Sequence, residues 1–170
     1  MPSLRDERVE DSKAVAELLG SAFGRDAEAR LVDRLRAADR VVTALIAETK
    51  QRILGHVVFS RVALGDAELE MEGLALAPIA VVPAFQRLGV GSALVSAGLE
   101  RCRAMGHTRV LVLGDPDYYS RFGFVPASEF GIESTFDAPP ESFMALELVP
   151  GAFAGAAGVV RYGHEFEDLT

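Results

Sequence analysis

The sequence predicts an α/β fold in which a mixed, mainly antiparallel sheet is flanked by helices. Apolar residues recur at helical spacing in some segments and form compact runs rich in Val, Ile, Leu and Phe in others, in the order βααβββαβαββ. The chain has 170 residues, of which 49% are hydrophobic and 25% are charged, so it is long enough to bury a sizeable core. We therefore expect residues 1–170 to form a single domain.

The first half of the chain predicts one strand, two helices and three further strands. A short strand near Ser3–Arg8 precedes a helix that begins at Asp11 or Ser12 and ends at Gly24. A second, amphipathic helix is expected over Asp26–Ala38. Three apolar runs separated by short polar turns then predict strands over Val41–Ala47, Ile53–Val62 and Leu69–Val82. Their pattern is typical of an antiparallel meander.

The second half begins with another helix. After Pro83 the apolar spacing becomes helical again, which predicts a helix over Val90–Met105 that Gly106 ends. A buried strand is expected over Arg109–Leu113. The remaining predicted elements are a short helix near Pro116–Phe122 and strands at Phe124–Val125 and Phe143–Leu148. We expect the Gly/Ala-rich segment Gly151–Gly158 to form a surface loop.

Charge and composition argue against several classes of partner. The chain carries 17 Lys and Arg against 25 Asp and Glu, a net charge of −8 that repels nucleic acid and anionic lipid. We therefore expect no nucleic acid and no membrane as partner. The charged segment Met1–Arg8 lacks the apolar stretch of a signal peptide, and no apolar run approaches the ~20 residues of a membrane span. With a single cysteine, Cys102, these features predict a cytoplasmic protein without an intrachain disulfide.

The last apolar strand before the central helix carries the first candidate binding feature. Residues Leu74–Phe85 are apolar throughout, but Pro78 has no N–H to donate, so strand pairing must break, bulge or lie at an edge there. A strand that parts from its neighbour leaves the N–H groups of Ala80, Val81 and Val82 free to bind an extended ligand. The alternative is a simple edge strand.

A glycine-containing loop follows directly. Gly89 and Gly91 lie in the segment Gln86–Ser92, which joins this strand to the next helix. Glycine allows close approach of a ligand, and a helix start offers unpaired N–H groups and a positive dipole end, which together can bind a pyrophosphate. Residues 86–121 hold five Arg and three acidic residues, so positive charge gathers in an otherwise acidic chain. The alternative is an ordinary turn.

Two motifs in this region resemble those of a known family. The first is Gln86-x-x-Gly89-x-Gly91 after the residues Ala-Val-Val-Pro, and the second is GDPDYYSRFGF, residues 114–124, one helix and one strand later. Together they resemble the GNAT superfamily of acyl-coenzyme A-dependent N-acyltransferases, and the predicted order of elements fits the same fold. The motifs cover about Leu74 to Val125.

The resemblance implies where acetyl-coenzyme A, the co-substrate, binds. It implies that the backbone of residues 80–82 bonds the pantetheine arm and that the N–H groups of residues 87–92 hold the pyrophosphate. It also implies that the parallel strands near Ile79 and Leu111 splay apart to admit the thioester. The expected cofactor-binding residues are Ala80, Val81, Val82, Gln86, Arg87, Leu88, Gly89, Val90, Gly91, Ser92 and Phe122.

The resemblance also implies a reaction and a catalytic residue. The expected activity is transfer of an acetyl group from acetyl-coenzyme A directly to a primary amine of a small molecule or peptide. Tyr119 stands four residues before the Gly-Phe pair, where the family often places a tyrosine that protonates the departing thiolate. A phenol can perform this step because its pKa is comparable to that of a thiol. The alternative is that Tyr119 only packs against the cofactor, and the neighbouring Tyr118 is expected in the core.

The sequence departs from the family at the position of the general base. Many members carry a carboxylate within the cofactor strand, but Ala77 and Pro78 occupy the corresponding positions here. Glu68, Glu70 and Glu72 alternate along the entering strand and so share one face, from which one of them could act directly or through water. The alternatives are a solvated strand face and ordered water as the base.

Other chemistries lack the residue patterns they require. His56, His107 and His164 are far apart in the sequence and show no metal-ligand spacing, so we expect no metal. Cys102 falls on the apolar stripe of its helix, and Ser92 lacks the flanking glycines of a hydrolase nucleophile. We therefore expect direct transfer without an acyl-enzyme.

Two other classes of function remain open from the sequence. The first is a non-catalytic acyl-coenzyme A sensor or regulatory module, and the second is a structural protein that uses the fold only as a scaffold. The acceptor pocket is expected from the first two helices and the loops after Phe124, including Glu129–Pro140, but these residues do not name a substrate. A monomer and a homodimer are both compatible with the sequence.

Overall fold

A computed structural model describes residues 2–50, 52–65, 71–156 and 158–169. Residue contacts divide the chain into two compact units that interleave along the sequence. The first unit contains the described residues up to Ser60 together with Ala77–Arg101, and the second contains Arg61–Leu76 and Cys102–Asp168. A single domain stays a prediction.

The first unit is built on a sheet whose strands neighbour one another in the order β1-β2-β3-β4. The strands are β1 (Ser3–Asp6), β2 (Val41–Glu48), β3 (Ile53–Leu64) and β4 (Met71–Val81), the last two of which also contribute residues to the second unit. β1 pairs antiparallel with β2, and β2 pairs antiparallel with β3. This is the sequential strand pairing that the meander pattern predicts.

Three helices accompany this sheet, namely α1 (Ser12–Phe23), α2 (Ala27–Ala37) and α3 (Val90–Ala104). α1 and α2 bury one apolar face each, through Val15, Leu18, Leu19, Leu31, Val32 and Leu35. Phe23 shares the apolar spacing of α1 but is 41% exposed, because it is the last residue before the helix ends at Gly24. Among the described residues, no helix combines the length and apolarity that crossing a membrane requires.

The first unit also contains two ionic clusters. Both terminal nitrogens of Arg5 donate hydrogen bonds to the Asp11 carboxylate, Nη1 to Oδ2 at 2.8 Å and Nη2 to Oδ1 at 2.9 Å. These hydrogen bonds lower the pKa of Asp11 to about 2. Glu7 lies between Arg36 and the fully buried His56, whose Nε2 is 2.9 Å from Glu7 Oε1. Burial alone would raise the pKa of Glu7, but the interactions with His56 and Arg36 outweigh it and the pKa is lowered.

The second unit adds five short strands, β5 (Arg109–Leu113), β6 (Val125–Pro126), β7 (Ile132–Ser134), β8 (Phe143–Glu147) and β9 (Gly158–Arg161). Its strand order is β4-β5-β8-β6, and β9 pairs with both β3 and β7. β4 and β5 are parallel, β5 and β8 antiparallel, and β7 and β9 parallel. A four-residue helix, α4 (Pro116–Tyr119), follows β5. The predicted mixed sheet is therefore confirmed.

The strands β7 and β9 were not part of the predicted order. β7 has three residues and β9 has four, too few for an alternating pattern to be recognised. Both are formed by pairing with partners distant in the sequence, since Ile132 faces Gly158 and Ala63 faces Arg161. β6 begins one residue later than predicted and includes Pro126.

Candidate functional site

The end of β4 does not leave all of its backbone groups free. The Val82 N–H donates to the Leu54 carbonyl at 2.8 Å, so the expectation that this amide is free is wrong. The Ala80 carbonyl also faces β3, because it lies 3.3 Å from the position that a Cβ on Gly55 would take. Since polar groups alternate in direction along a strand, the Ala80 N–H points toward β3 as well.

Val81 is the residue of this group that presents its backbone to the other edge of β4. Its N–H and carbonyl point away from β3, because they alternate with those of Ala80 and Val82. The Val81 carbonyl accepts a hydrogen bond from the Gln86 side chain, Nε2 to O at 3.0 Å. Gln86 therefore fastens the loop to the strand end, a role that the sequence pattern did not show.

The parallel ladder between β4 and β5 is short. Among the described residues it comprises Leu74 opposite Val110 and Ala75 opposite Leu111. β4 continues beyond this point through the cis Ala77–Pro78 peptide to Val81. Pro78 has no N–H to donate to a ladder. The ladder thus ends before the strand does, and splaying at Ile79 stays a prediction.

The loop after β4 has a conformation that few residues other than glycine adopt. Gly89 has a φ of 88°, and a Cβ built on it would meet no atom within 4 Å, so open space lies above it. Arg87 also has a positive φ, 65°. α3 begins at Val90, and the Ala93 N–H closes its first turn on the Gly89 carbonyl at 3.0 Å. The N–H groups before Ala93 belong to the end of the helix that lacks intrahelical partners.

Residues 86–92 therefore form an exposed loop and helix start within the first unit. Gln86, Arg87, Gly89 and Leu88 are exposed, and Leu88 reaches 64%. Gly91 and Ser92 lie in the first turn of α3. All of the predicted cofactor-binding residues except Phe122 thus belong to one unit.

The arginines that follow the loop do not gather at it. Arg101 pairs with Asp6, and the guanidinium groups of Arg103, Arg109 and Arg121 donate to backbone carbonyls. The Arg87 side chain lies in the loop and makes no ion pair or hydrogen bond with the residues that the structure describes. The positive charge expected from the composition of residues 86–121 is therefore mostly engaged by other partners.

Arg52 brings a second guanidinium to this loop, and sequence reasoning missed it. Its Cζ lies 5.3 Å from the centroid of the Phe85 ring, in the geometry of a cation–π contact. Phe85 directly precedes Gln86. No sequence signal links Arg52 to the loop, because the two are separated by β3 and β4.

Tyr119 lies in the second unit, in a cluster of aromatic rings. α4 begins after Asp115, whose side chain accepts the Asp117 N–H at 2.9 Å, and this cap fixes the start of the helix. The Tyr119 ring packs edge-on against Phe124, with centroids 5.7 Å apart. It also covers Gly114, where a Cβ would come within 2.4 Å of the ring. Only glycine fits at position 114.

Burial shapes the chemistry of Tyr119. The residue is 7% exposed, and this burial, with a smaller contribution from Tyr118, raises the pKa of its hydroxyl. The hydroxyl makes no hydrogen bond with any residue in the described ranges. Tyr118 is half-buried, packs edge-on against Tyr119 and lies 4.4 Å from the Arg121 guanidinium. The expectation that Tyr118 belongs to the core is wrong. Phe122 is half-buried beside Tyr118.

One of the three candidate bases falls within the described residues. Glu72 is exposed on β4, and its Oε1 lies 3.9 Å from both Arg61 Nε and His107 Nδ1. Glu68 and Glu70 lie outside the described residues. Glu72 therefore lies near an arginine and a histidine on an exposed part of the strand.

The remaining candidate nucleophiles and ligands occupy structural positions. Cys102 is fully buried on α3, as its apolar stripe predicts. His56 is buried beside Glu7. Within the described ranges, no group of three or more His, Cys, Asp or Glu side chains could hold a metal ion.

The mixed sheet, the glycine-containing loop at a helix start and the buried tyrosine after the next strand are features expected of the family that the two sequence motifs resemble. The sequence profile of the acetyltransferase (GNAT) family matches residues 12–124. The chain therefore belongs to the GNAT family of acetyltransferases, and the prediction of an N-acetyltransferase is confirmed.

Close relatives carry the same family name. The uncharacterized N-acetyltransferase YhbS of Escherichia coli is 32% identical over 92% of this chain and 93% of its own. Its crystal structure, determined in complex with CoA, superposes with a TM-score of 0.91 at 30% identity over 98% and 92% of the two chains. A GNAT acetyltransferase from Brucella melitensis in complex with acetyl-CoA superposes with a TM-score of 0.80, at 32% identity over 98% of each chain.

Proposed function

We propose that this protein transfers an acetyl group from acetyl-coenzyme A to a primary amine of a small molecule or peptide. The observation that carries the proposal is the loop from Gln86 to Gly89, held open at the start of α3. A glycine with positive φ, open space above it and a helix start are the features that accept a pyrophosphate. The two structures solved with CoA and acetyl-CoA support the same ligand.

The residues of the first unit fit this co-substrate. The N–H groups of Val90, Gly91 and Ser92 start α3 and would hold the pyrophosphate, with Gly89 allowing its close approach. Arg87 and Arg52 supply positive charge for the phosphates. Val81 offers the pantetheine arm a backbone edge that points away from β3. The remaining predicted residues of this unit, Ala80, Val82, Gln86 and Leu88, shape the end of β4 and the loop.

Tyr119 supplies the proton that the leaving group needs. The acceptor nitrogen forms a bond to the acetyl carbon, the carbon–sulfur bond breaks, and the sulfur takes the proton of the Tyr119 hydroxyl. The amine releases its proton to water, and the tyrosinate takes one back from water. The Tyr119 hydroxyl is protonated over the physiological range, and because burial raises its pKa, the tyrosinate left after proton transfer takes a proton back from water readily.

Water is the acceptor of the amine proton in this proposal. Positions 77 and 78, where many family members carry a carboxylate, hold Ala77 and Pro78, and Glu72 at the start of β4 faces Arg61 and His107. The acceptor attacks as the uncharged amine, so an arriving ammonium ion first loses one proton to water, and the nitrogen loses a second proton to water after attack. Transfer is direct, since the buried Cys102 sits on the apolar face of its helix.

The test combines a melting experiment with a transfer assay on the purified chain. Acetyl-coenzyme A should raise Tm, with a stabilisation of ~2.7 kcal/mol at a concentration ~100 times its Kd. In the presence of primary amines it should release free thiol, and mass spectrometry should find the acetylated amine. A raised Tm with no thiol release from any amine would make the protein a sensor of acyl-coenzyme A, and an unchanged Tm would contradict the co-substrate itself.

A further inference from the structure

A cavity of about 240 Å³ lies in the second unit, among the short strands that follow Tyr119. Its walls are largely apolar, and come chiefly from Leu113, Ile132, Phe136 and Phe143. This volume lies below the range of ~300–1,000 Å³ that is usual for drug-sized ligands. The cavity therefore suits a small molecule with an apolar body.

Among the described residues that line this cavity, Glu133 is the only charged one, and it is acidic. Glu133 on β7 is exposed and makes no ion pair or hydrogen bond with any described residue. Other carboxylates of the chain, such as Glu7 and Glu28, are buried against arginines. Glu133 therefore offers an uncompensated negative charge at the edge of an apolar space, where a cation attached to an apolar group would be held.

The cavity wall is continuous with the support of Tyr119. Leu113 directly precedes Gly114, the residue that the Tyr119 ring covers. The Gly114 N–H donates to the Ser142 carbonyl at 2.9 Å, and the next residue, Phe143, is also a wall of the cavity. Residues that support Tyr119 are thus direct neighbours in sequence of residues that line the cavity, and both belong to the second unit.

We propose that this cavity binds the acceptor, and that the acceptor is a primary amine on a small aliphatic or aromatic body that carries no carboxylate. The inference rests on the proposed function. Glu133 pairs with the ammonium form as it arrives, and the ammonium then loses a proton to water, so that the uncharged amine attacks the thioester. The apolar walls bury the body of the acceptor. A carboxylate on the acceptor would meet Glu133 without a cationic partner on the described lining, so amino acids should be poor acceptors.

The experiment uses two probes that share one aromatic body. 2-Phenylethylamine has an ammonium group only, whereas phenylalanine adds a carboxylate to the same carbon. Thiol release from acetyl-coenzyme A gives kcat and KM for each probe with the full chain. We expect kcat/KM to be at least tenfold higher for 2-phenylethylamine. Equal values for the two probes would contradict the proposed substrate class.

Two substitutions then test Glu133 itself. Glu133→Gln removes the charge and keeps the shape, so KM for 2-phenylethylamine should rise about tenfold while kcat stays within about twofold. Glu133→Lys should lower KM for phenylalanine. The matched control is Glu129→Gln, an exposed carboxylate four residues earlier that does not line the cavity. An unchanged KM in Glu133→Gln would overturn the assignment of this residue.

A binding measurement separates this inference from the proposed function. Ligand-observed NMR with the chain saturated with CoA reports 2-phenylethylamine binding without any turnover. Binding that Glu133→Gln weakens, in a chain that transfers no acetyl group, would support the cavity and overturn the acetyltransferase reaction. Transfer to amines without cavity binding would support the acetyltransferase reaction and overturn the assignment of the cavity to the acceptor. A variant that fills the cavity, Ala138→Leu, should weaken binding, and a change in acyl-chain preference instead would assign the cavity to the acyl group.

Discussion

The loop after β4 and the aromatic cluster around α4 differ in what determines their structure. The loop is exposed, and its shape comes from backbone conformation, since Gly89 and Arg87 both have positive φ. The cluster is built from side chains, because the Tyr119 ring is held by Gly114 and Phe124. In the proposed function, the loop would recognise the ligand through backbone N–H groups, whereas the aromatic cluster would act through the single hydroxyl of Tyr119.

This difference predicts how substitutions in each region affect binding and the reaction. A change in the loop should abolish binding without touching chemistry, because conformation and space are lost together. A change of one atom in the aromatic cluster should spare binding and slow the reaction. Four experiments follow, from the largest expected effect to the smallest. The first two test this separation, the third tests the stability of the fold, and the fourth tests direct transfer.

Gly89→Glu should remove the rise in Tm that acetyl-coenzyme A produces. The new side chain places a negative charge where the pyrophosphate would lie and forces a φ of 88° on a residue that disfavours it. The stabilisation of ~2.7 kcal/mol expected at ~100 times Kd should vanish. Gly106→Glu is the matched control, because Gly106 has a φ of 91° and equally open surroundings just past the other end of α3. A retained shift in Gly89→Glu would place the ligand elsewhere.

Tyr119→Phe should lower kcat by ~10² or more and leave KM for acetyl-coenzyme A within a few fold. The substitution keeps the ring that fills the space above Gly114 and deletes only the hydroxyl. Thiol release should be measured under conditions in which chemistry limits the rate. Tyr118→Phe, which alters the half-buried neighbour, should keep full activity. Equal rates for Tyr119→Phe and the parent would falsify the role of this residue as proton donor.

Asp11→Asn should destabilise the fold at neutral pH and not in acid. The folded pKa of Asp11 is about 2, below its unfolded value, so its contribution is complete above about pH 5 and is lost as the pH falls toward 2. We expect a loss of roughly 1–2 kcal/mol at pH 7, shrinking toward zero near pH 2, in urea unfolding. Glu10→Gln, at the exposed neighbouring position, should change little. The response of Tm to acetyl-coenzyme A should persist in both variants.

Cys102→Ala should keep kcat within about twofold of the parent. Cys102 is fully buried on α3 and fills space as a small apolar group, so its loss costs stability and not activity. Intact-protein mass spectrometry during turnover should find no acetylated chain. An acetyl-enzyme formed at the rate of turnover, or ping-pong kinetics, would contradict direct transfer.

The sequence allowed the loop to be predicted more fully than the aromatic cluster or the cavity. Glycines next to a helix start predict a phosphate loop from local geometry alone, and α3 begins where the pattern places it. Which of Tyr118 and Tyr119 is buried depends on packing against Gly114, a contact that spacing does not show. From the sequence, Glu133 was predicted only as part of a loop, Glu129–Pro140, and no role was predicted for it. The strand β7 could not be predicted, because it forms by pairing with β9 and not by its own propensity.

Hydrogen bonding also set limits on prediction from the sequence. The sequence of this apolar run does not distinguish the amides of Ala80, Val81 and Val82. Because β4 pairs with β3, the N–H groups of Ala80 and Val82 point toward β3. Likewise, the composition of residues 86–121 counts arginines without showing that Arg101 pairs with Asp6. Partners chosen across the fold decide which groups stay available for a ligand.

The parallel pairing of β7 with β9 has a consequence for how new acceptor preferences can arise. Glu133 stands opposite Val159, and β9 in turn pairs with the end of β3, so this residue of the cavity lining is positioned by a strand that contributes no lining residue among those described. An insertion or a register change in β9 would move Glu133 while every residue of the loop at Gly89 stayed as it is. Relatives could thus diverge in the amine they accept through changes in a strand outside both sites, with the acetyl donor conserved.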